Sequence, residues 1–318
     1  MTLELASERV VRKPWGKSDL RPWSDLGRDG APIGELWFQR GDPAAPEPDL
    51  LLKLLFTDQA LSIQVHPDDA FARAIGLPHG KTEAWYVLAA APGAEVSLGL
   101  NQSITRPQLR AAIGDGTIVD LMHRQAVHAG ESIVVSAGTI HAIGAGLVIA
   151  EIQQRSDATF RLFDFGRDRE LHPDGAVGAA TAGPAPAQST SERLSEARLV
   201  VATSPYFVLE QLDLAPRSRW EVVADREVWI LLVEGEASFD QVRVACGEAV
   251  FIDAQRVEVR VAAGPVRALM AYVGTEPVSD LLQSPSRELH RRAVDPLTSS
   301  TKAPGQAPAL AVNQGVGA

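Results

Sequence analysis

Polar residues on one strand of the first half of the chain could bind a divalent metal ion. Gln64 and His66 lie two residues apart in ALSIQVHP, so on a strand they share one face while Ile63 and Val65 share the other. A polar pair buried on an apolar strand is costly unless each side chain finds a partner. A metal ion would satisfy both, which makes Gln64 and His66 candidate ligands.

Glu83 and His141 complete the candidate ligand set. Glu83 stands where KTE enters the apolar segment AWYVL, and taken alone it could be an exposed charge at a strand edge. His141 lies in GTIHAIG, where a single histidine is more often a packed core residue. Two imidazoles, one carboxylate and one amide oxygen nevertheless suit a divalent ion, with zinc as the first choice. An amide ligand is unusual in a structural zinc site, so the set favours one catalytic Zn²⁺ per chain.

The elements that must position these residues are predicted to be mainly short strands. LLLKLLF, TEAWYVLAA, AEVSLGL and the segments between residues 132 and 166 are apolar or alternating, and most are separated by glycine. Helical spacing is limited to residues 67–76 and 105–124. Many short strands with glycine turns are typical of sandwiches and barrels rather than of parallel α/β folds. We therefore expect an all-β-dominated fold with a few short helices.

A change of composition predicts the domain organisation. The segment 174–196 is rich in small residues, proline and serine, as linkers are, and strand-like segments resume after it. Because no histidine occurs between residues 173 and 289, the second β unit should bind no comparable metal. The predicted parts are an N-terminal domain with the metal site (1–173), a linker (174–196), a C-terminal β domain without metal (197–283) and a mobile tail (284–318).

Composition and charge limit the possible partners and compartment. The 318-residue chain has a formal net charge of −10, so it is a poor general binder of nucleic acid or of anionic membranes. An anionic small molecule would need a local basic pocket. A single cysteine, Cys246, precludes an intrachain disulfide, and no segment resembles a signal peptide or a membrane span. We expect a cytoplasmic protein, and the sequence leaves its oligomeric state open.

The motifs QVHPDD, GKTEAWYV and GTIHAIG, followed by SDATFR, occur in an order that resembles type I mannose-6-phosphate isomerases (phosphomannose isomerases), especially the short bacterial form. This resemblance to a group of the cupin superfamily implies two tandem cupin (jelly-roll) β-barrels with the metal in the first. It implies the ligands Gln64, His66, Glu83 and His141, the same set that strand facing and ligand chemistry select. It also implies zinc-dependent interconversion of mannose 6-phosphate and fructose 6-phosphate through an enediolate-type intermediate.

The same resemblance implies roles for further charged and polar residues. It implies functional roles for Arg161 and Lys81 and places Lys53 and Ser62 near the sugar phosphate. Lys53, Ser62 and Lys81 are therefore candidate substrate-binding residues. From the residues alone, Arg161 could equally form a structural ion pair with Glu151 or Asp157, or clamp an anionic substrate.

The sequence does not identify the proton carrier or the substrate. Glu151 and Asp157 are candidate catalytic residues because they lie near His141 and Arg161 in the predicted strands, and a metal-bound water is the alternative. The fold does not determine the substrate, so two alternatives stay open: an isomerase for another sugar phosphate and a non-catalytic sugar-phosphate-binding cupin. A purely structural role for the two histidines would predict no metal.

Overall fold

The first half of the chain consists of short strands and four helices in the computed structural model, which describes residues 2–27 and 30–284. The strands are β1 (Thr2–Leu5), β2 (Ser7–Val11), β3 (Glu35–Gln39), β4 (Leu50–Phe56), β5 (Ile63–Val65), β6 (Glu83–Ala90), β7 (Glu95–Leu100), β8 (Met122–Ala126), β9 (Ser132–Val135), β10 (His141–Ile143), β11 (Leu147–Gln154) and β12 (Phe160–Phe163). The described helices are α1 (Asp69–Ala74), α2 (Arg106–Asp115), α3 (Ile118–Leu121) and α4 (Pro173–Ala179).

The second half is formed by strands alone within the described residues. They are β13 (Glu192–Ser195), β14 (Arg198–Thr203), β15 (Phe207–Leu214), β16 (Arg219–Val223), β17 (Val228–Glu234), β18 (Glu236–Phe239), β19 (Val242–Ala245), β20 (Ala249–Asp253), β21 (Arg256–Val261), β22 (Val266–Val273) and β23 (Leu282–Gln283). The predicted predominance of β structure is confirmed. No helix in the described ranges is long and apolar enough to cross a membrane.

Local capping explains where the first two helices begin. The Asp68 side chain accepts a hydrogen bond from the Phe71 N–H at the start of α1. Thr105 and Gln108 form a reciprocal capping box at the start of α2, and Pro107 lies in its first turn. Both predicted helical regions are confirmed, the second as the pair α2 and α3.

Two antiparallel sheets of the first half face each other around the candidate site. The six-stranded sheet has the order β2-β3-β4-β11-β6-β9, and the five-stranded sheet has the order β12-β5-β10-β7-β8. Along β4 the even-numbered residues from Leu50 to Phe56 pack in a core shared with the second half. Leu55 packs in the core between the two sheets, and Lys53 shares its face because side chains alternate along a strand. The charged residue that interrupts LLLKLLF therefore points into the space between the sheets.

The second half repeats the two-sheet arrangement. A seven-stranded sheet, β1-β20-β17-β22-β15-β14-β13, is accompanied by a five-stranded sheet, β19-β18-β21-β16-β23, with an apolar core between them that includes Phe239 and Tyr272. Another core, containing Phe38, Phe207 and Trp229, joins the six-stranded sheet to the seven-stranded sheet. Residues up to Gln283 form one compact unit.

The segment 174–196 is more regular than its composition predicts. Pro173 and Asp174 begin helix α4, where a proline and an acid are favoured, and Ala176 and Val177 pack with the outer residues of the five-stranded sheet of the first half. Strand β13 then pairs with β14. The prediction of a plain linker is wrong at these two elements because tertiary packing outweighs a composition of small residues. The tail predicted to be mobile (284–318) lies outside the described residues from position 285 onwards.

Replacing Glu227 by alanine is expected to lower the free energy of unfolding by about 2 kcal/mol. The Glu227 carboxylate, just before β17, accepts hydrogen bonds from the N–H groups of Asp49 (2.6 Å) and Leu50 (2.9 Å) at the start of β4. It therefore connects the two halves. Denaturant unfolding monitored by circular dichroism measures the change. The control, Asp225→Ala, removes an exposed acid that pairs only with Arg226 among the described residues, and an equal loss in both variants would contradict the prediction.

Candidate metal centre and adjoining cavity

Three residues predicted as metal ligands meet between the two sheets of the first half. His66 directly follows β5, Glu83 begins β6 and His141 begins β10, which pairs with β5. One ligand atom from each of the three lies within 4.8 Å of the others, and all three side chains are buried. The structure thus brings them into one cluster that could hold a metal ion, and the alternative of an exposed strand-edge charge at Glu83 is wrong.

Backbone carbonyls fix which nitrogen of each imidazole carries the proton. His66 Nδ1 lies 2.8 Å from the Ala158 oxygen, and His141 Nδ1 lies 2.9 Å from the Thr139 oxygen. Because a carbonyl oxygen only accepts, each Nδ1 is the donor and each Nε2 keeps its lone pair. Both Nε2 atoms lie 3.4 Å from a Glu83 oxygen. Metal-binding histidines are commonly oriented by such a hydrogen bond from the other ring nitrogen.

Burial and neighbouring charges set the protonation states that a metal requires. Burial lowers the pKa of His66 to about 4, assisted by the Lys81 ammonium. Burial also lowers the pKa of His141. Burial alone would raise the pKa of Glu83, but the Lys81 ammonium holds it well below its ordinary value. At neutral pH the cluster therefore offers two neutral imidazoles and a carboxylate.

Lys81 lies against the ligand cluster itself. Its buried ammonium donates to Glu83 Oε2 and lies 3.0 Å from His66 Nε2. Burial alone would lower the pKa of Lys81, but the carboxylates of Glu83 and Glu151 raise it above its ordinary value. Lys81 is therefore cationic and compensates the buried charge of Glu83. The sequence predicted Lys81 as a phosphate-binding residue and did not reveal this contact with Glu83.

Gln64 occupies the position expected of a fourth ligand. It lies opposite His141 in the pairing of β5 and β10, and its Nε2 is 3.3 Å from His141 Nε2. Ser62 Oγ donates to Gln64 Oε1 at 3.4 Å. A 180° rotation of the terminal amide exchanges its oxygen and nitrogen, and would turn the oxygen towards the cluster. Ligation by Gln64 remains a prediction.

A cavity of about 220 Å³ adjoins the cluster. Gln64 and Lys81 line it and also contact His141 and His66, respectively, so the cavity meets the cluster at these two residues. Five cationic and three anionic residues line the cavity. They are Lys13, Lys53, Lys81, Arg161 and Arg169, and Glu35, Glu151 and Asp157. In a chain with a net charge of −10, this local excess of cations provides the basic pocket that an anionic ligand needs.

Glu151 and Lys53 are paired in the cavity wall. They are direct neighbours in the pairing of β11 with β4, and Lys53 Nζ lies 3.2 Å from Glu151 Oε1 and 3.8 Å from Glu35 Oε2. Trp85 Nε1 donates to Glu151 Oε2 at 3.2 Å. These contacts hold the Glu151 carboxylate in place. Asp157, the other predicted proton carrier, also lines the cavity but is exposed.

Arg161 does not form the ion pair that was one of its two predicted roles. Among the described residues its guanidinium pairs with neither Glu151 nor Asp157. Its Nη1 donates to the backbone carbonyl oxygen of Glu170 at 2.6 Å, and its buried Nε has no hydrogen-bond partner in the described ranges. Burial lowers its pKa, and nearby Arg169 adds to that effect. A guanidinium in the cavity wall that forms no ion pair within the described part of the chain favours the role of an anion clamp.

The sequence-based prediction missed three charged residues of the cavity. Glu35 could have been found, because GELWF alternates and puts Glu35 and Trp37 opposite Leu36 and Phe38. Lys13 and Arg169 lie in irregular segments, where no periodicity predicts the direction of a side chain.

No family model matches the chain. A mannose-6-phosphate isomerase of Streptococcus mutans is 38% identical over 199 residues, which are 58% of this chain and 62% of the relative. A mannose-6-phosphate isomerase of Bacillus subtilis is 38% identical over 154 residues, 45% of this chain and 49% of the relative. The matched regions thus span less than two thirds of either relative.

Solved structures extend the similarity to most of the chain. The crystal structure of a mannose 6-phosphate isomerase from Bacillus subtilis superposes with a TM-score of 0.71 at 24% identity, covering 85% of this chain and 99% of the other. A zinc-bound mannose 6-phosphate isomerase superposes with a TM-score of 0.64 at 18% identity, covering 86% and 100%. At these identities the structures establish the fold. The chain is similar in sequence to mannose-6-phosphate isomerases and has the fold of solved ones, which confirms the resemblance inferred from its motifs.

Proposed function

We propose that this chain is a zinc-dependent aldose–ketose isomerase that interconverts mannose 6-phosphate and fructose 6-phosphate. The observation that carries the proposal is the buried His66–Glu83–His141 cluster beside a cavity with an excess of cationic side chains. A sugar phosphate presents both groups that such a site suits, oxygens for a metal and an anion for a basic wall. The names of the relatives at 38% identity agree with this substrate.

The donor set fits Zn²⁺. His66 and His141 would supply Nε2 atoms, Glu83 a carboxylate oxygen and Gln64 an amide oxygen, with no thiolate among them. Bound zinc would supply a Lewis acid that polarises the oxygens at C1 and C2 of the open-chain sugar. The neutral imidazoles and the ionised carboxylate at pH 7 favour loading without loss of protons.

The residues of the chain supply charge stabilisation and proton transfer. The Arg161 guanidinium, which forms no ion pair with the residues that the structure describes, would stabilise the negative charge of the enediolate. Glu151 would move the proton between C1 and C2, because it is buried in the cavity wall whereas Asp157 is exposed. Lys53 and Ser62 line the cavity and would hold the phosphate, with Lys81 adding positive charge from the side of the cluster.

Two further features belong to the same proposal. The two-sheet arrangement of each half supports two cupin-type jelly-roll domains, one within residues 1–173 that would hold the metal and one within 197–283 without it. The boundary differs from the predicted one at β1, which pairs with β20 in a sheet of the second domain. The single cysteine supports a cytoplasmic location.

Removal of the metal tests the proposed function. We expect chelation of the purified protein to lower mannose 6-phosphate isomerisation, measured in a coupled assay, by at least about 100-fold, and added zinc to restore it. A panel of other aldose and ketose phosphates is the control for substrate class. Tight zinc binding with turnover of another sugar phosphate but not of mannose 6-phosphate would contradict the proposed substrate. Zinc binding without any turnover would favour the non-catalytic alternative.

A further inference from the structure

The Asp69 carboxylate connects three separate parts of the fold next to the metal cluster. Its Oδ1 accepts hydrogen bonds from the Gly80 N–H at 2.7 Å and from Gln154 Nε2 at 3.1 Å. Its Oδ2 accepts one from the Tyr206 hydroxyl at 3.0 Å. Gly80 precedes Lys81 and Glu83, Gln154 ends β11, and Tyr206 lies between β14 and β15 in the second half. Asp69 itself begins α1, three residues after His66.

The partners of Asp69 are tied in turn to the segment that enters β6. The Gln154 side chain, which donates to Asp69, accepts the Thr82 N–H at 2.9 Å. The Lys81 N–H donates to the Pro67 oxygen at 2.9 Å. These bonds hold the backbone on both sides of Lys81 against the segment that follows His66.

Gly80 permits this close contact between the two segments. A Cβ at Gly80 would lie 2.6 Å from the Asp68 carbonyl carbon and 2.7 Å from the Pro67 oxygen, distances that real Cβ atoms do not show. The backbone that leads to Glu83 therefore packs directly on the backbone that follows His66. The separation of two ligand-bearing strand ends is set at this contact.

We propose that Asp69 is a positioning residue of the metal centre: its hydrogen bonds fix Glu83 relative to His66. We call this set of hydrogen bonds the brace, and the bond from Tyr206 extends it to the second half. Metal affinity depends on ligand placement to within about 0.5 Å, so loss of the brace weakens binding without removing a ligand. This inference rests on the metal site of the proposed function. It gives the second half a role at the site.

The adjacent aspartate offers a matched control for Asp69→Ala. Asp68 also lies at the start of α1, where it accepts the Phe71 N–H at 2.7 Å, but it accepts no hydrogen bond from the Gly80 segment among the described residues. Both substitutions weaken the start of α1, and only Asp69→Ala releases the segment. We expect the zinc dissociation constant to rise on the order of tenfold for Asp69→Ala and to change less than about twofold for Asp68→Ala. Competition with a chromophoric chelator measures the zinc dissociation constant of each variant.

Milder variants keep the inference testable if Asp69→Ala fails to fold. Tyr206→Phe removes one hydrogen bond, and we expect a loss of zinc affinity of up to about fivefold. Its matched control is Tyr86→Phe, which also removes a hydrogen bond between the halves, from the Tyr86 hydroxyl to Gln211 Oε1 at 2.7 Å. Asp69→Asn keeps an acceptor oxygen for the Gly80 N–H and should restore most of the affinity lost in Asp69→Ala.

The visible spectrum of the cobalt-substituted protein reports ligand geometry directly. We expect its bands to shift in Asp69→Ala and Tyr206→Phe and to stay unchanged in Asp68→Ala and Tyr86→Phe. Equal changes in Asp68→Ala and Asp69→Ala would overturn the inference, because disruption of α1 would then be the cause. Wild-type protein that binds neither zinc nor cobalt would overturn it too. The expected binding pattern in a protein without isomerase activity would support the inference while contradicting the proposed function.

Discussion

Replacing His141 by alanine is expected to remove zinc from the purified protein and to lower kcat for mannose 6-phosphate by at least about 1000-fold. The substitution deletes one of the two Nε2 atoms that face Glu83. His66, Glu83 and the proposed amide ligand Gln64 then remain, beside the competing Lys81 ammonium. A metal contributes several kcal/mol to stabilising an enediolate, and about 4 kcal/mol corresponds to three orders of magnitude in rate. Zinc content by atomic absorption and kcat by the coupled assay give the two readouts.

His128 provides the matched control for this substitution. It lies exposed between β8 and β9 and pairs with Glu131, so His128→Ala should leave zinc content and kcat unchanged. A His141→Ala protein that is folded, retains one zinc per chain and turns over normally would contradict the assignment of His141 as a ligand.

Replacing Arg161 by alanine is expected to lower kcat by about 100- to 1000-fold while zinc stays bound. Its guanidinium lines the cavity, its Nε has no hydrogen-bond partner among the described residues, and it forms no ion pair there. A cation fixed beside a developing enediolate acts mainly in the transition state, and its loss should appear in kcat more than in KM. Steady-state kinetics together with zinc analysis separate this effect from loss of the metal.

Two other substitutions make the test of Arg161 specific. Arg161→Lys keeps the charge but loses the planar fork, so an intermediate kcat is expected. Arg110→Ala removes an exposed arginine that pairs with Asp174 on the surface, and it should behave as wild type. A near-normal kcat for Arg161→Ala would contradict the proposed role in catalysis and favour a structural role for Arg161.

Alternation along single strands made much of the candidate site predictable. Ile63 and Val65 pack in the outer core of the five-stranded sheet, which leaves Gln64 and His66 on the inner face, as expected. The period of two applies to any strand that is buried on one side, and no knowledge of its neighbours is needed. Glu83 and His141 were added to the predicted set by ligand chemistry rather than by alternation, and their proximity to His66 is confirmed.

Contacts between distant segments could not be predicted in this way. The partners of Lys53 depend on the pairing of β4 with β11, which brings Lys53 beside Glu151 across about a hundred residues, and strand pattern alone does not specify such a register. Helix α4 was missed because its apolar face is only Ala176 and Val177, which are too few to show helical spacing. Its stability comes from the sheet on which it packs.

The first strand has a consequence for how this chain folds as it is synthesised. β1 is an edge strand of the seven-stranded sheet, where Thr2 pairs with Asp253, whereas β2 pairs with β3 in the first half. β1 must therefore wait until some 250 further residues have been synthesised before its partner β20 is available. Until the strands of the second half have been made, the six-stranded sheet lacks the apolar surface that covers it, so its apolar face stays exposed late into synthesis.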